Sequence, residues 1–285
     1  MAFIECETLT HIYLKGTPME TVAVRDVTLR IDQGEFVAII GPTGSGKSTL
    51  VQHFNALLRP TSGTVRVGGV DLSDPKADRK AVRRQVGLLF QYPEHQLFGE
   101  TVFEDVSFGP RNLGLPPDEV KTRVEEALRS VGLDPAEFGP RSPFSLSGGE
   151  MRRVAAAGVL AMSPTVLVLD EPAAGLDPRG KTEMLGHFRA LHAQRGITVV
   201  LITHSMDEAA ALAKRVVVLD RGRVVMDGPA REVFTRADEL TAIGLGVPAV
   251  TDLVRRLRAR GLPVRENVLT VDEAREAIRE ALGWS

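Results

Sequence analysis

The sequence contains one cysteine, Cys6, and one tryptophan, Trp284, in 285 residues. A single thiol excludes an internal disulfide framework and suits a reducing compartment. Apolar runs are short, and none reaches the roughly 20 residues of a membrane-spanning helix. Any membrane role is therefore expected to come through a partner. The start, Met1-Ala2-Phe3-Ile4-Glu5, has neither a basic region nor a long apolar core, so no secretory leader is expected. An excess of one charge is also missing. With 35 Lys and Arg against 37 Asp and Glu, the formal net charge is -2, which gives no global basic field for nucleic acid. Aromatics make up 5%, and only two are tyrosines, so Tyr13 upstream of a candidate nucleotide loop stands out. No internal repeat or low-complexity tract is visible. The remaining composition, 43% hydrophobic and 25% charged, is that of an ordinary globular chain with a sizeable core.

The stretch Gly41-Pro42-Thr43-Gly44-Ser45-Gly46-Lys47-Ser48 follows an apolar run, Phe36 to Ile40. It precedes a helical pattern with Leu50, Val51, Phe54, Leu57 and Leu58 on one face. Gly, four residues, then Gly-Lys-Ser between a strand and a helix is the phosphate-binding P-loop. Its glycines let backbone N–H groups curl into an anion nest, and the helix that follows points its positive end at the phosphates. Lys47 can reach the β- and γ-phosphates, and the Ser48 hydroxyl can bind Mg²⁺.

Residues 1–40 read as β-rich, with the turn Asp32-Gln33-Gly34-Glu35. Val65, Val67 and Val70 suggest a short strand pair broken by Gly68-Gly69, and Val86 to Phe90 reads as a buried strand finishing at Gln91. A glutamine at the carboxyl end of a strand sits where open α/β sheets bind ligands, to hold Mg²⁺ or orient water. Residues 92–163 lack a convincing strand and read as a helical subdomain inserted into the sheet domain. Within them Ser147 and Glu150 have the spacing of a helix capping box, but Gly148 and Gly149 weaken a first turn, which suggests close approach of something to the backbone. That helix start is a second anion site.

Val166 to Leu169 reads as a central parallel strand ending in Asp170-Glu171. An acid there, in a P-loop chain, holds Mg²⁺ in the Walker B position, and Glu171 can take a proton from attacking water. Ala174-Gly175-Leu176-Asp177-Pro178 is a tight loop before a helix, and Ile197 to Ile202 is a further buried strand ending at Thr203-His204. Taken alone, Tyr13 reads more readily as a half-buried strand aromatic, Gln91 as a solvated amide, and His204 as a structural histidine. Arg215 to Leu219 and Arg223 to Met226 form a hairpin about Asp220-Arg221-Gly222. The expected fold is α/β: a P-loop nucleotide-hydrolase fold with a mostly parallel central sheet and an N-terminal antiparallel part. Residues 1–235 form the nucleotide-binding domain, with the helical subdomain at about 92–163, and 236–285 a small C-terminal domain, mainly helical, with room for one short strand. A capping-box pair, Thr270 and Glu273, lies in this last part.

At Leu146-Ser147-Gly148-Gly149-Glu150 the chain resembles the ATP-binding cassette ATPases. The resemblance covers roughly residues 1–235, with every family element in family order. It implies ATP held by Tyr13 under the adenine and by Gly41, Pro42, Thr43, Gly44, Ser45, Gly46, Lys47, Ser48 and Thr49. It implies Mg²⁺ at Ser48, Gln91 and Asp170, with Glu171 and His204 catalytic. Ser147, Gly148, Gly149 and Glu150 match the signature, which meets the ATP of a partner subunit, and Asp177 closes the D-loop. Glu150 stands where many members have glutamine, and Ala173 where many have threonine or serine, so a tuned site is expected rather than a dead one. Gln91 to Phe98, Phe108-Gly109-Pro110, Met151-Arg152-Arg153 and the Gly16-Thr17-Pro18 insertion are similar to energy-coupling factor transporter ATPases. That likeness implies a cytoplasmic ATPase dimer, often a heterodimer, under a transmembrane T-component and a substrate-binding S-component. The cargo of such complexes is a vitamin or a transition-metal ion. The alternatives are an ATPase of a conventional solute transporter and a soluble cassette protein acting outside transport.

Overall fold

The computed structural model describes residues 2–284. The strand before the glycine-rich loop, β3 (Phe36–Ile40), is buried along its whole length, and its alternate side chains enter different cores. Phe36, Ala38 and Ile40 face one core, and Val37 and Ile39 the other. The period of two along a strand makes this division. β7 (Val166–Asp170) and β8 (Thr198–Ile202) divide in the same way, with Leu167, Leu169, Val199 and Leu201 on the first side and Val166, Val168, Val200 and Ile202 on the second. Strands buried on both faces read as unbroken apolar runs, which is why these were legible.

The six-stranded sheet has the order β10-β9-β3-β8-β7-β6, where β6 is Val86–Leu89, β9 Arg215–Asp220 and β10 Arg223–Pro229. All neighbours pair in parallel except the β9–β10 hairpin at the edge. A four-stranded antiparallel sheet, β2-β1-β4-β5, is built from β1 (Ala2–Tyr13), β2 (Thr21–Asp32), β4 (Ser62–Val67) and β5 (Val70–Asp71). Helix α1 (Lys47–Phe54) shares the second core with this sheet through Leu50, Val51 and Phe54. It ends at Phe54, earlier than the apolar spacing suggests. Ala56 takes φ 57°, Leu57 and Leu58 both donate to the Gln52 carbonyl, and Leu57 is exposed. The strand β6 likewise stops at Leu89, so Gln91 lies in the loop beyond it.

After α2 (Arg79–Gln85) and β6, residues 92–163 hold only helices: α3 (Val102–Asn112), α4 (Pro117–Ser130), α5 (Pro135–Phe138), α6 (Gly148–Leu160) and two short 3₁₀ turns. Val102, Val106, Val120, Val124, Leu128 and Val154 join them to the first core. Helices α7 (Pro178–Arg195) and α8 (Met206–Leu212) flank the parallel strands, and α9 (Ala230–Thr235) and α10 (Ala237–Ala242) follow β10. The last helices, α11 (Ala249–Ala259) and α12 (Val271–Leu282), enclose a separate small core of Val254, Val264, Val268, Ala274 and Ala277. Residues 236–284 contain no strand among those described, so the short strand allowed for by the sequence is absent there. Phe234 and Leu240 belong to the main core rather than to the small one, so α10 packs with the body that precedes it. Arg231 ties the two together, donating to the Asn267 carbonyl at 2.7 Å and pairing with Glu273. The capping boxes at Ser147/Glu150 and Thr270/Glu273 are both formed.

Candidate nucleotide site

Parallel pairing puts the carboxyl ends of β3, β8, β7 and β6 along one edge, so whatever follows each strand meets there. After β3 comes the loop 41–46, after β7 Asp170-Glu171, after β8 Thr203-His204, and after β6 Gln91. Gly41, Pro42, Thr43, Lys47, Ser48, Gln91, Asp170, Glu171 and His204 line one cavity of about 600 Å³.

Loop backbone and α1 set the geometry. Gly46, the residue before α1, has φ 100°, and a Cβ there would lie 2.2 Å from the Ala23 carbonyl oxygen. Only glycine fits both demands. Lys47 folds its ammonium back onto the loop, donating to the carbonyls of Gly41 at 2.8 Å and Pro42 at 2.9 Å. Burial pushes the Lys47 amine below its ordinary range, and the charges of Glu171 and Asp170 pull the other way. The Asp170 carboxyl is raised, chiefly by burial, while a hydrogen bond from Ser48 opposes that shift. Ser48 and Asp170 are therefore already in contact.

Glu171 is the hub of the polar wall. Its Oε2 accepts from Gln91 Nε2 at 3.1 Å and lies 3.2 Å from His204 Nδ1. Its amide donates to the Ile202 carbonyl at 2.9 Å, and its φ of 51° turns the chain sharply out of β7. A left-handed glutamate costs conformational energy, and Glu171 lines the cavity from this turn.

The Ser147–Glu150 segment lines a different cavity, of about 470 Å³, with Asp177, Arg152 and Arg153. The two cavities share no lining residue. Ser147 donates through its amide and its hydroxyl to Glu150 Oε2, at 2.8 and 2.7 Å, and these bonds hold the carboxyl below the usual range. Asp177 caps α7 by accepting from Gly180 at 2.8 Å. Gly148 has nothing within 4 Å of a notional Cβ, and Gly149 only Leu176 at 3.9 Å. This chain's own packing therefore does not require either glycine.

Tyr13 stands outside the first cavity and is linked to α1 through Thr49, whose hydroxyl is 3.2 Å from the tyrosine oxygen. Several neighbours escaped sequence reading. Met206, Gly244, Leu245 and Gly246 complete the cavity wall, the last three from the segment after α10. Buried Arg152 grips Glu94 through both carboxylate oxygens, at 2.6 and 3.1 Å, and reaches the Ala174 carbonyl. It thereby joins the start of α6 to the loops after Gln91 and Glu171. No spacing signal marks these long-range partners.

A family model described as ABC transporter matches residues 24–174. The chain belongs to the ABC transporter ATPases. Within them it groups with the energy-coupling factor transporter ATP-binding proteins. The protein EcfA2 of Symbiobacterium thermophilum is 60% identical over 276 residues, covering 97% of this chain and 95% of that protein. EcfA2 of Clostridium perfringens is 49% identical over 279 residues, covering 98% of each. Among solved structures, cbiO1 of Clostridium perfringens, described as part of the ABC transporter complex cbiONQ, superposes with a TM-score of 0.75 at 35% identity, over 91% of this chain and 96% of that one. A dimeric ATP-binding cassette in a post-hydrolysis state with ADP and phosphate gives 0.71 at 30% identity, over 80% of this chain and 98% of that one. Among the described residues no helix is long and apolar enough to cross a membrane.

Proposed function

We propose that this chain hydrolyses Mg²⁺-ATP at a site completed by a second cassette subunit, and that the pair powers uptake of a vitamin or a transition-metal ion. The membrane partners in this reading are a T-component and an S-component, with the ATPases on the cytoplasmic face. The observation that carries it is the division of the phosphate-binding elements. Lys47 and the signature glycines line separate cavities, and the glycines have open space where another molecule can approach. The relatives and the dimeric cassette of similar fold support the same arrangement.

In this reading the loop amides and Lys47 hold the β- and γ-phosphates of ATP, exchanging the Gly41 and Pro42 carbonyls for phosphate oxygens. Ser48, Asp170 and Gln91 offer hydroxyl, carboxylate and amide oxygens, a hard-donor set that fits Mg²⁺. When bound, the ion neutralises charge developing on the phosphate oxygens. Glu171 takes the proton of the attacking water, and Gln91 and His204 orient its carboxylate. Ser147 and the backbone of Gly148 and Gly149 face the γ-phosphate of the partner's ATP.

Gly148→Asp tests the division directly. An acid in a first helical turn is compatible with α6, so the melting temperature stays at the parent value. ATPase activity of the assembled complex is expected to fall by about two orders of magnitude, as when one transition-state contact is lost. Parent activity in that variant would remove the signature from the site. Affinity purification is expected to recover a second cassette ATPase and an integral membrane protein, and recovery of neither refutes the transport assignment.

A further inference from the structure

Beneath Tyr13 lies a buried polar chain that the phosphate chemistry does not use. His53 on α1 places Nδ1 2.8 Å from the carbonyl of Thr49, one helical turn earlier, and Nε2 3.2 Å from His11 Nδ1. His11 Nδ1 is also 3.0 Å from the Arg59 carbonyl. Carbonyls only accept, so both Nδ1 atoms carry protons, and His53 Nε2 is the lone pair that shares the His11 proton. The partners alone thus assign both tautomers. The His11 ring meets Tyr13 edge-on, with centroids 4.5 Å apart at 74°. It meets His53 likewise at 4.9 Å and 73°. Thr49 closes the circuit through its hydroxyl on Tyr13.

His53 is fully buried and His11 8% exposed, so neither ring is a surface accessory. Burial, the largest influence, pushes His53 down to about 4, against the backbone hydrogen bond of Thr49; the charge of His11 adds to the lowering. The ring is neutral at physiological pH, and its lone pair stays available to His11. Buried imidazoles without partners would be costly, whereas here each is bonded and the chain admits one orientation.

Resting on the proposed role of Tyr13 under adenine, we infer that His11 and His53 are positioning residues for the nucleobase: they lock the Tyr13 ring to the helix that carries Lys47 and Ser48. The ring and the phosphate nest then keep a fixed separation, because the ring is bonded to α1 through Thr49 and the loop 41–46 runs directly into that helix. This arrangement favours a triphosphate bearing a flat base over triphosphate alone. The His pair acts on the base end of the ligand and leaves the loop 41–46 untouched.

The test titrates the full-length chain with Mg²⁺-ATP and, separately, with inorganic tripolyphosphate. His11→Leu and His53→Leu are expected to weaken ATP about two- to tenfold, the worth of one well-placed aromatic contact, with tripolyphosphate affinity unchanged. His11→Asn keeps a donor near the position of Nδ1 and is expected to restore ATP affinity. Tyr13→Ala serves as the reference. If it leaves ATP affinity at the parent value, the adenine platform itself is refuted. If Tyr13→Ala weakens ATP but neither leucine variant does, the positioning role is overturned and the platform stands. Equal loss for ATP and tripolyphosphate in the leucine variants also overturns it, since that is a distorted α1. His11→Leu decides the matter if His53→Leu does not fold.

Discussion

Replacing Glu171 with glutamine probes the centre of the site with the smallest structural change. The side chain keeps its length, and an amide oxygen can still accept from Gln91 at 3.1 Å and face His204 at 3.2 Å. The strained φ of 51° at this position is the same for both residues. What disappears is the proposed proton acceptor and one negative charge beside Lys47 and Asp170. A positioned general base contributes about 10² to 10⁴ in rate, so kcat is expected to fall by that factor, about 2.7 to 5.4 kcal/mol in barrier. Binding behaves differently. With one carboxylate fewer facing the triphosphate, the Kd for Mg²⁺-ATP is expected to stay level or tighten. Chemistry then stalls after binding, and the ATP-loaded dimer accumulates. Phosphate release by the assembled complex at saturating Mg²⁺-ATP reads the first effect, and size-exclusion chromatography with light scattering reads the second. Parent turnover in Glu171→Gln would falsify the base assignment. Lost ATP binding would show instead that Glu171 is needed to build the pocket.

Three further outcomes follow from the same geometry. Asp170 has a raised carboxyl, so its ionisation opposes folding: its stabilising influence is complete below its unfolded pKa and disappears as pH rises through the folded one. Asp170→Asn should therefore raise the melting temperature of the nucleotide-free chain at neutral pH while abolishing the extra stabilisation by Mg²⁺-ATP; a lower melting temperature contradicts this account. His53 is depressed from 6.5 to about 4, so its contribution is present above 6.5 and is lost as pH falls towards 4. Between pH 7.5 and 5 the urea stability of the parent should drop by about 2 kcal/mol more than that of His53→Leu, and parallel pH curves would rule the buried neutral ring out. Arg152→Leu strands Glu94 in a largely buried setting, where burial raises the carboxyl and the Arg152 hydrogen bonds now pull it down. The cost should be about 3 kcal/mol in urea unfolding, and Glu94→Leu added to it should recover part of that loss; simple additivity argues against coupling.

The sequence determined the parts of this protein that are local or periodic. Glycine spacing with Lys47 and Ser48 marked a candidate phosphate loop, because backbone N–H groups and one cation suffice to recognise phosphate. Apolar runs at 166–169 and 197–202 defined central strands, because strands covered on both faces tolerate no alternation. Capping spacing at Ser147 and Thr270 fixed two helix starts, because the bond involves residues three apart. Apolar periodicity misled only where a local turn intervened, as at Ala56, where the chain leaves the helix and exposes Leu57.

Tertiary structure alone decided which of these parts meet. Parallel strand order set Gly41, Pro42, Thr43, Lys47, Ser48, Gln91, Asp170, Glu171 and His204 round one cavity, and strand order depends on the whole core rather than on any window of sequence. The same packing left the Ser147–Glu150 helix start facing another cavity, so a sequence that carries two candidate phosphate-binding helix starts does not unite them within one chain. The histidines under Tyr13 and the Arg152–Glu94 grip were invisible for a related reason. Their partners lie 42 and 58 residues apart, and buried polar groups find such partners only after the chain has closed. The approach of residues 244–246 to this cavity likewise appears only once α10 has packed against the main core.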